Sequence, residues 1–240
     1  MTEWFERWFG EEYVRLYPHR DDQEAAQAVA LIDRMVTVDG RHVLDLACGP
    51  GRHAAHLSQR GARVVGCDLS MPLLTRARAR VGDRASFVRG DMRALPFASG
   101  SFDLVVNLFT SFGYFADDAQ HAAVLRDVAT LLKPQGTFML DFLNASRVRA
   151  TLVPREQQEL GEHHVRIERR ISEDDRFVIK EMHLLEDGRC FVERVRLFSP
   201  DDLVTLLESV GLSVRERFGG YDGAPLTDDA PRVLLCAVRG

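Results

Sequence analysis

The sequence predicts an α/β fold: a mostly parallel sheet with helices on both faces, an N-terminal helical cap and an inserted antiparallel β meander. Three observations lead there. Strand-length apolar runs alternate with helical patterns from residue 41 to residue 143, the arrangement of parallel βαβ units. Those runs are too apolar to leave one face in water, as expected where helices cover a sheet on both sides. After about residue 160 the pattern changes to alternating apolar and polar residues between short turns, which reads as antiparallel pairing.

The first strand spans Arg41 to Leu46, followed by Arg63 to Cys67, Ala85 to Arg89, Phe102 to Leu108 and Gly136 to Phe142. Helices between them cover Gly51 to Gln59, Met71 to Val81 and Asp118 to Leu132, the last stopping at Lys133-Pro134, where proline disfavours continuation. Ahead of the first strand, Glu3 to Leu16 and Asp21 to Val36 are helical and separated by Tyr17-Pro18-His19-Arg20, so residues 1–40 form the cap. Meander strands run over His164 to Ser172, Phe177 to Leu185 and Cys190 to Phe198 within an insertion at 161–198. Ser199-Pro200-Asp201 opens a helix to Val210, with serine as N-cap and proline in the first turn. Leu212 to Phe218 and Arg232 to Arg239 complete the sheet, so 41–144 and 199–240 form one core within a single domain of 1–240.

Composition narrows the partners. With 240 residues, 45% hydrophobic and 28% charged, the chain has the balance of a globular protein, and a formal charge of −5 lacks the basic excess of a nucleic-acid binder. It contains no apolar run of about 18 residues and no basic-then-apolar leader, so the expectation is a cytoplasmic protein off the membrane with a small-molecule partner. Cys48, Cys67, Cys190 and Cys236 form no C-x-x-C and read as reduced core thiols.

Val43-Leu44-Asp45-Leu46-Ala47-Cys48-Gly49-Pro50-Gly51-Arg52-His53-Ala54 is a buried strand entering a glycine-bearing turn that opens a helix. Glycine permits the tight bend and close ligand approach, and the first helical amides offer donors to an anionic group. The stretch satisfies G-x-G-x-x-A, with Asp68 nineteen positions beyond Gly49, so a nicotinamide-dependent oxidoreductase is one reading. Asp45 argues against it, because a carboxylate at this strand end repels a pyrophosphate and favours a cationic ligand part. Asp68 suits ribose hydroxyls, while Asp91 suits an adenine amino group and Met92 can pack on the ring.

These motifs resemble the class I S-adenosylmethionine-dependent methyltransferases, and they run in that family's order from residue 43 to residue 144. The resemblance rests on Val43 to Gly51, Gly66-Cys67-Asp68-Leu69-Ser70, Gly90-Asp91-Met92 with Leu95-Pro96-Phe97, Phe102-Asp103-Leu104-Val105 and Leu132-Lys133-Pro134-Gln135-Gly136. Ala47 stands where the family's first glycine usually does, one methyl group larger. The resemblance implies a Rossmann-like seven-stranded sheet with an antiparallel last strand, and S-adenosyl-L-methionine as methyl donor with S-adenosyl-L-homocysteine as product. It places cofactor contacts on Asp45, Gly49, Gly51, Asp68, Asp91 and Met92, joined by Ala47, Cys48, His53, Leu69, Arg93 and Asn107. Tyr17 and Arg20, at the cap junction with Tyr13 and His19, would meet the methionine carboxylate.

After the fourth strand, Asn107-Leu108-Phe109-Thr110-Ser111-Phe112-Gly113-Tyr114-Phe115 falls beside the transferred methyl. Phe109, Ser111, Phe112 and Tyr114 are candidate acceptor contacts, and Tyr114 and Asn107 candidate catalytic groups. The run is similar to that of small-molecule N-methyltransferases, including sugar N,N-dimethyltransferases, which slightly favours nitrogen as the methylated atom. His53, His56 and His163-His164 read as surface or supporting histidines. Asp141 and Asn144 could suit a metal-assisted O-methyltransferase, but the ligand set is incomplete and no metal is expected. The meander, rich in residues such as Arg166, Glu168, Arg169, Arg170, Glu193, Arg194 and Arg196, is either a charged outer face, a roof over the acceptor pocket or a homodimer contact. Alternatives to small-molecule methylation are RNA or protein methylation and non-catalytic cofactor binding.

Overall fold

A computed structural model describes residues 3–17 and 22–240. Strands β1 (His42–Leu46), β2 (Arg63–Asp68), β3 (Ala85–Arg89), β4 (Phe102–Asn107) and β5 (Leu132–Leu143) are parallel, in the order β5-β4-β1-β2-β3. Two later strands, β10 (Leu212–Phe218) and β11 (Arg232–Arg239), extend it to seven in the order β10-β11-β5-β4-β1-β2-β3, with β11 antiparallel to both neighbours. The fold is Rossmann-like, as the sequence predicts, with the antiparallel last strand lying inside the sheet and β10 at its edge.

Alternation along β4 shows why both faces are buried. Leu104 and Val106 point to one side with Val43 and Met139, where they meet Val29 and Ile32 of helix α3 (Asp22–Val36) and Ala54 and Leu57 of α4 (Arg52–Gln59). Val105 points to the other side with Phe138 and Leu140, against α6 (Asp118–Leu131) and α8 (Pro200–Ser209), joined by Phe102 across a register shift between Phe102 and Leu104. Burying one such aliphatic side chain contributes about 1.5–3 kcal/mol, so a polar residue at any of these positions would oppose the fold. Helix α5 (Met71–Val81) begins at Ser70, whose side chain accepts the Leu73 amide, and matches its expected bounds.

Three local differences from expectation have physical reasons. The expected helix from Glu3 to Leu16 is two, α1 (Trp4–Trp8) and α2 (Glu11–Leu16), because Gly10 adopts an extended conformation (φ −105°, ψ −156°) as N-cap of the second. Strand β5 begins at Leu132 rather than Gly136, passing Pro134 by a register shift, with Gln135 at φ 62°. The meander carries an additional strand, so its sheet is β6 (Arg155–Leu160), β7 (His163–Ile171), β8 (Phe177–Leu184) and β9 (Cys190–Arg196), preceded by α7 (Ala145–Thr151). Cys48, Cys67 and Cys236 are buried, but Cys190 is exposed on the outer face of β9, against the expectation of a core thiol.

One face of the meander is apolar. Val165, Ile167, Met182 and Leu184 pack against Trp8, Tyr13, Val14 and Leu16 of the N-terminal helices, so the cap and the meander hold each other over the strand tips. No helix of the described residues is long and apolar enough to cross a membrane.

Candidate functional site

The carboxyl ends of β1 and β2, with the β3–β4 and β4–α6 loops, surround a cavity of about 1160 Å³ that continues to the cap and the meander. That exceeds the roughly 300–1,000 Å³ of a typical single-ligand site and leaves space for a second molecule. The turn after β1 forms its floor. Ala47, Gly49 and Gly51 all have positive φ (58°, 53° and 76°), which turns the chain within one residue of the strand. A Cβ on Gly49 would meet nothing within 4 Å, whereas one on Gly51 would sit 2.9 Å from the Ala77 Cβ. Gly49 therefore faces open space, and Gly51 lets the turn seat on α5.

Asp68 ties this turn to the tip of β2. Its Oδ2 accepts the Gly49 amide at 2.8 Å and its Oδ1 the Ser70 amide at 2.8 Å, while burial pushes its pKa up against those bonds. The carboxylate lines the cavity with each oxygen retaining acceptor capacity, the arrangement that a pair of vicinal hydroxyls needs. Leu69 and Met92 supply apolar surface on the same wall. The open turn, the acid beside it and this apolar slot fit an adenosyl nucleoside.

Asp45, expected to face the turn, lies beneath it and does not line the cavity. Burial, then the neighbouring Asp68 charge, pushes its pKa up to about 7, and its buried Oδ2 has no hydrogen-bond partner. Asp91 does line the cavity, but Arg93 grips it: Nε lies 3.0 Å from both oxygens, and the Arg93 amide donates at 2.9 Å. Burial raises the Asp91 pKa, the Arg93 bonds outweigh it, and the carboxylate sits below its ordinary range. Arg93 itself does not line the cavity and lies over the rings of Phe5 and Phe115. Ala47, Cys48 and His53 line the cavity, with the His53 imidazole held neutral, its pKa lowered to about 3 by burial and then by Arg52.

Among the acceptor candidates, Phe109, Ser111 and Tyr114 line the cavity and Phe112 does not. Phe112 is a core residue stacked among His121, Phe142 and Phe198. Asn107, a candidate for both catalysis and cofactor contact, is also withdrawn: it is buried, and its amide donates to the Leu46 carbonyl at 3.1 Å, joining β4 to β1. Tyr114 is held by its hydroxyl, which donates to the Thr110 carbonyl at 2.8 Å, and by the rings of Trp4, Phe5 and Phe9. Tyr17, expected at the methionine carboxylate, turns instead to β8, where its hydroxyl accepts from Lys180 at 3.0 Å. Arg20 and His19 lie outside the described residues.

Asp141 and Asn144 do not form the metal-ligand pair considered from sequence. Asp141 accepts the Phe109 amide at 2.7 Å, the Tyr221 hydroxyl at 2.5 Å and Arg232 Nε at 2.7 Å. Asn144 caps α7 and donates to the carbonyls of Thr227, Asp228 and Ala230. A different group of ligand-type atoms, Glu181, His183 and Cys190, lies within 4.8 Å on the outer face of the meander, where Arg170 already holds Glu181.

Sequence reasoning missed Arg52 and Arg232, which line the cavity and lie 4.9 and 5.4 Å from the Phe109 ring centroid. Arg232 opens the last strand and had no motif to mark it. Arg169 and Glu193, read only as members of a charged strand, turn inward with Glu156 and Lys180 to wall the cavity. Their two-residue periodicity with Ile167 and Val195 was the available signal.

Residues 43–136 match the family described as methyltransferase domain, the span holding the turn, Asp68 and Asp91. The chain is 39% identical over 117 residues to the cypemycin N-terminal methyltransferase of Streptomyces sp, covering 48% of this chain and 47% of that protein. It is 33% identical over 131 residues to the dTDP-3-amino-3,4,6-trideoxy-alpha-D-glucopyranose N,N-dimethyltransferase of Streptomyces venezuelae, covering 54% of each. The chain thus spans about half the length of these curated relatives. A solved structure of the sugar N-methyltransferase KedS8 from Streptoalloteichus sp ATCC 53650 superimposes with a TM-score of 0.72 at 25% identity, over 95% of this chain and 92% of that one. Residues 43–136 thus carry a methyltransferase domain, and the matched motifs and the sheet order resemble those of the class I S-adenosylmethionine-dependent methyltransferases.

Proposed function

We propose that this protein transfers the sulfonium methyl of S-adenosyl-L-methionine to a nitrogen of a small-molecule acceptor, releasing S-adenosyl-L-homocysteine. The observation that carries this reading is the continuity of one cavity from the Gly49–Asp68 floor, past Tyr114, to the meander wall. The donor supplies an electrophilic methyl group. An acceptor lone pair forms the new bond to carbon as the carbon–sulfur bond breaks, and the amine then loses a proton to solvent. Such a displacement depends on alignment and exclusion of water more than on a strong base.

The residues present suit that division of labour. Asp68 and the turn amides orient the donor, while Trp4, Phe5, Phe9 and Tyr13 cover the cavity from the cap. The Tyr114 hydroxyl donates its hydrogen bond to the Thr110 carbonyl, so toward a ligand its oxygen acts as an acceptor that can orient an amine N–H. His53, neutral down to about pH 3, carries no charge to repel a cationic amine or the sulfonium. The sugar N-methyltransferase and N,N-dimethyltransferase likenesses support nitrogen as the acceptor atom. Walls contributed by the cap and the meander favour a compact acceptor over an RNA or a folded protein surface.

Incubation of the full chain with methyl-labelled donor and a fractionated metabolite extract tests this. Label is expected in a low-molecular-mass amine with stoichiometric S-adenosyl-L-homocysteine. Label confined to RNA or protein, or none with any fraction, would overturn it.

A further inference from the structure

We propose that the meander wall is an anion-binding subsite in which Arg169 and Lys180 together hold a phosphate or carboxylate group of the acceptor. This rests on the reading of the cavity as a methyl-transfer site and adds a substrate class to it. Arg169 of β7 and Lys180 of β8 are directly opposed partners in the antiparallel register, and both line the cavity. Like charges placed directly opposite one another destabilise a sheet. The surrounding inward positions, Ile167, Val178, Met182 and Val195, are apolar, so two adjacent cations are foreign to this wall.

Their present counter-charges sit to either side. Glu156 on β6 lies 2.7 Å from Arg169, and Glu193, directly opposite Lys180 on β9, lies 3.3 Å from it. Arg169, Lys180 and Glu193 share one cross-strand row, and Glu156, in register with Ile167, reaches Arg169 on the diagonal. All four side chains are partly buried, with 19–23% exposure for Arg169, Lys180 and Glu193 and 37% for Glu156. Ion pairs of this partly exposed kind add little to stability, so stability alone does not call for cations abreast in a cavity wall. The outer face of the same strands already carries Arg170–Glu181 and Arg155–Glu168.

A phosphate or carboxylate between the two cations would meet a planar guanidinium fork on one side and an ammonium on the other. Neither flanking carboxylate must leave the wall, since each stands on the far side of its partner. Asp68 and Asp91 stand at the donor end of the cavity, while Arg169 and Lys180, between Glu156 and Glu193, stand at the meander end. An acceptor carrying an amine and an acidic group is oriented with its amine toward the donor.

The test is calorimetric titration of inorganic pyrophosphate, orthophosphate and malonate into the full chain saturated with S-adenosyl-L-homocysteine, against sodium chloride at matched ionic strength. Saturable one-to-one binding of at least one probe is expected, and the preferred probe tells phosphate from carboxylate. Arg169→Gln with Lys180→Gln should weaken it by roughly tenfold or more, leaving S-adenosyl-L-homocysteine affinity unchanged. Glu156→Gln with Glu193→Gln removes competing charge yet keeps an oxygen for the Trp8 Nε1 donor, 2.6 Å from Glu193, and should tighten anion binding. A gain of that kind cannot come from misfolding. No saturable anion binding, or equal affinity in the native chain and the cation variant, overturns the subsite while retained product binding keeps the methyl-transfer reading. Failure of the native chain to bind S-adenosyl-L-homocysteine rejects that underlying reading instead.

Discussion

The Asp141 carboxylate at the end of β5 accepts the Phe109 amide at 2.7 Å, so a buried acid fixes the turn that leads to Tyr114. Phe109 and Thr110 are consecutive non-glycine residues at φ 59° and 58°, a conformation that costs about 1–3 kcal/mol each. The Asp141 carbonyl also accepts the Thr110 amide, and Arg232 reaches both the Asp141 carboxylate and the Thr110 hydroxyl. This network offsets the strain.

Asp141→Ala leaves Arg232 without its partner in a largely buried position and releases the turn. We expect a loss of about 3–5 kcal/mol in urea unfolding, and Asp141→Asn should lose less because it retains an acceptor for the Phe109 amide. In the folded Asn variant, turnover should fall more than product affinity. Equal losses in both would place Asp141 in general scaffolding.

Asp68→Ala removes the acceptor for the Gly49 and Ser70 amides and for ligand hydroxyls together. Affinity for S-adenosyl-L-homocysteine should fall at least tenfold, about 1.4 kcal/mol, by calorimetry. Unchanged affinity would remove Asp68 from the donor site.

The turn residues should respond in opposite directions. Gly51→Ala combines a left-handed backbone with a 2.9 Å approach to Ala77 and should destabilise by about 2–4 kcal/mol. Ala47→Gly relieves a methyl-bearing residue at φ 58° and should raise the melting temperature, because a left-handed alanine costs about 1–2 kcal/mol against about 0.4–1 kcal/mol of added unfolded-state entropy. A lower melting temperature for Ala47→Gly would show that the methyl packs usefully.

Burial, and then the Asp68 charge, pushes the Asp45 pKa up to about 7 from the ordinary carboxylate value of 3.8. The folded state therefore keeps this proton more tightly than the unfolded chain. Its contribution is full below pH 3.8 and is lost as pH rises toward about 7, amounting to about 4 kcal/mol if no other group compensates. Asp45→Asn, which cannot ionise, should flatten that part of the stability profile in denaturant titrations from pH 4 to pH 8. An unaltered profile would mean that Asp45 is ionised in the folded protein at neutral pH.

Much of the fold was legible because local and tertiary signals agreed. Val43-Leu44 and Leu104-Val105-Val106 are unbroken apolar runs because helices cover both faces, and Ser70 and Ser199 mark helix starts by their own side-chain bonds. Strand β6 left no such trace, since Arg-Glu-Gln-Gln-Glu-Leu is a polar edge stabilised by pairing with β7. Helix α7 is short and buries only Ala145. At the site, the turn and Asp68 were readable from spacing within one βα unit. Arg232 and Lys180 were not, because strands distant in sequence bring them to the cavity, and Asn107 was misplaced because strand position does not reveal that its amide bonds back to Leu46.

We propose an adenosyl sulfonium donor, rather than a nicotinamide dinucleotide, as the ligand of the strand-tip cavity. Calorimetric titration of the full chain with S-adenosyl-L-homocysteine and, separately, with NAD tests it most directly. Saturable binding of the first at a single site, with no heat from the second, is the predicted result. Binding of NAD with comparable or greater affinity, or no binding of S-adenosyl-L-homocysteine, would contradict it.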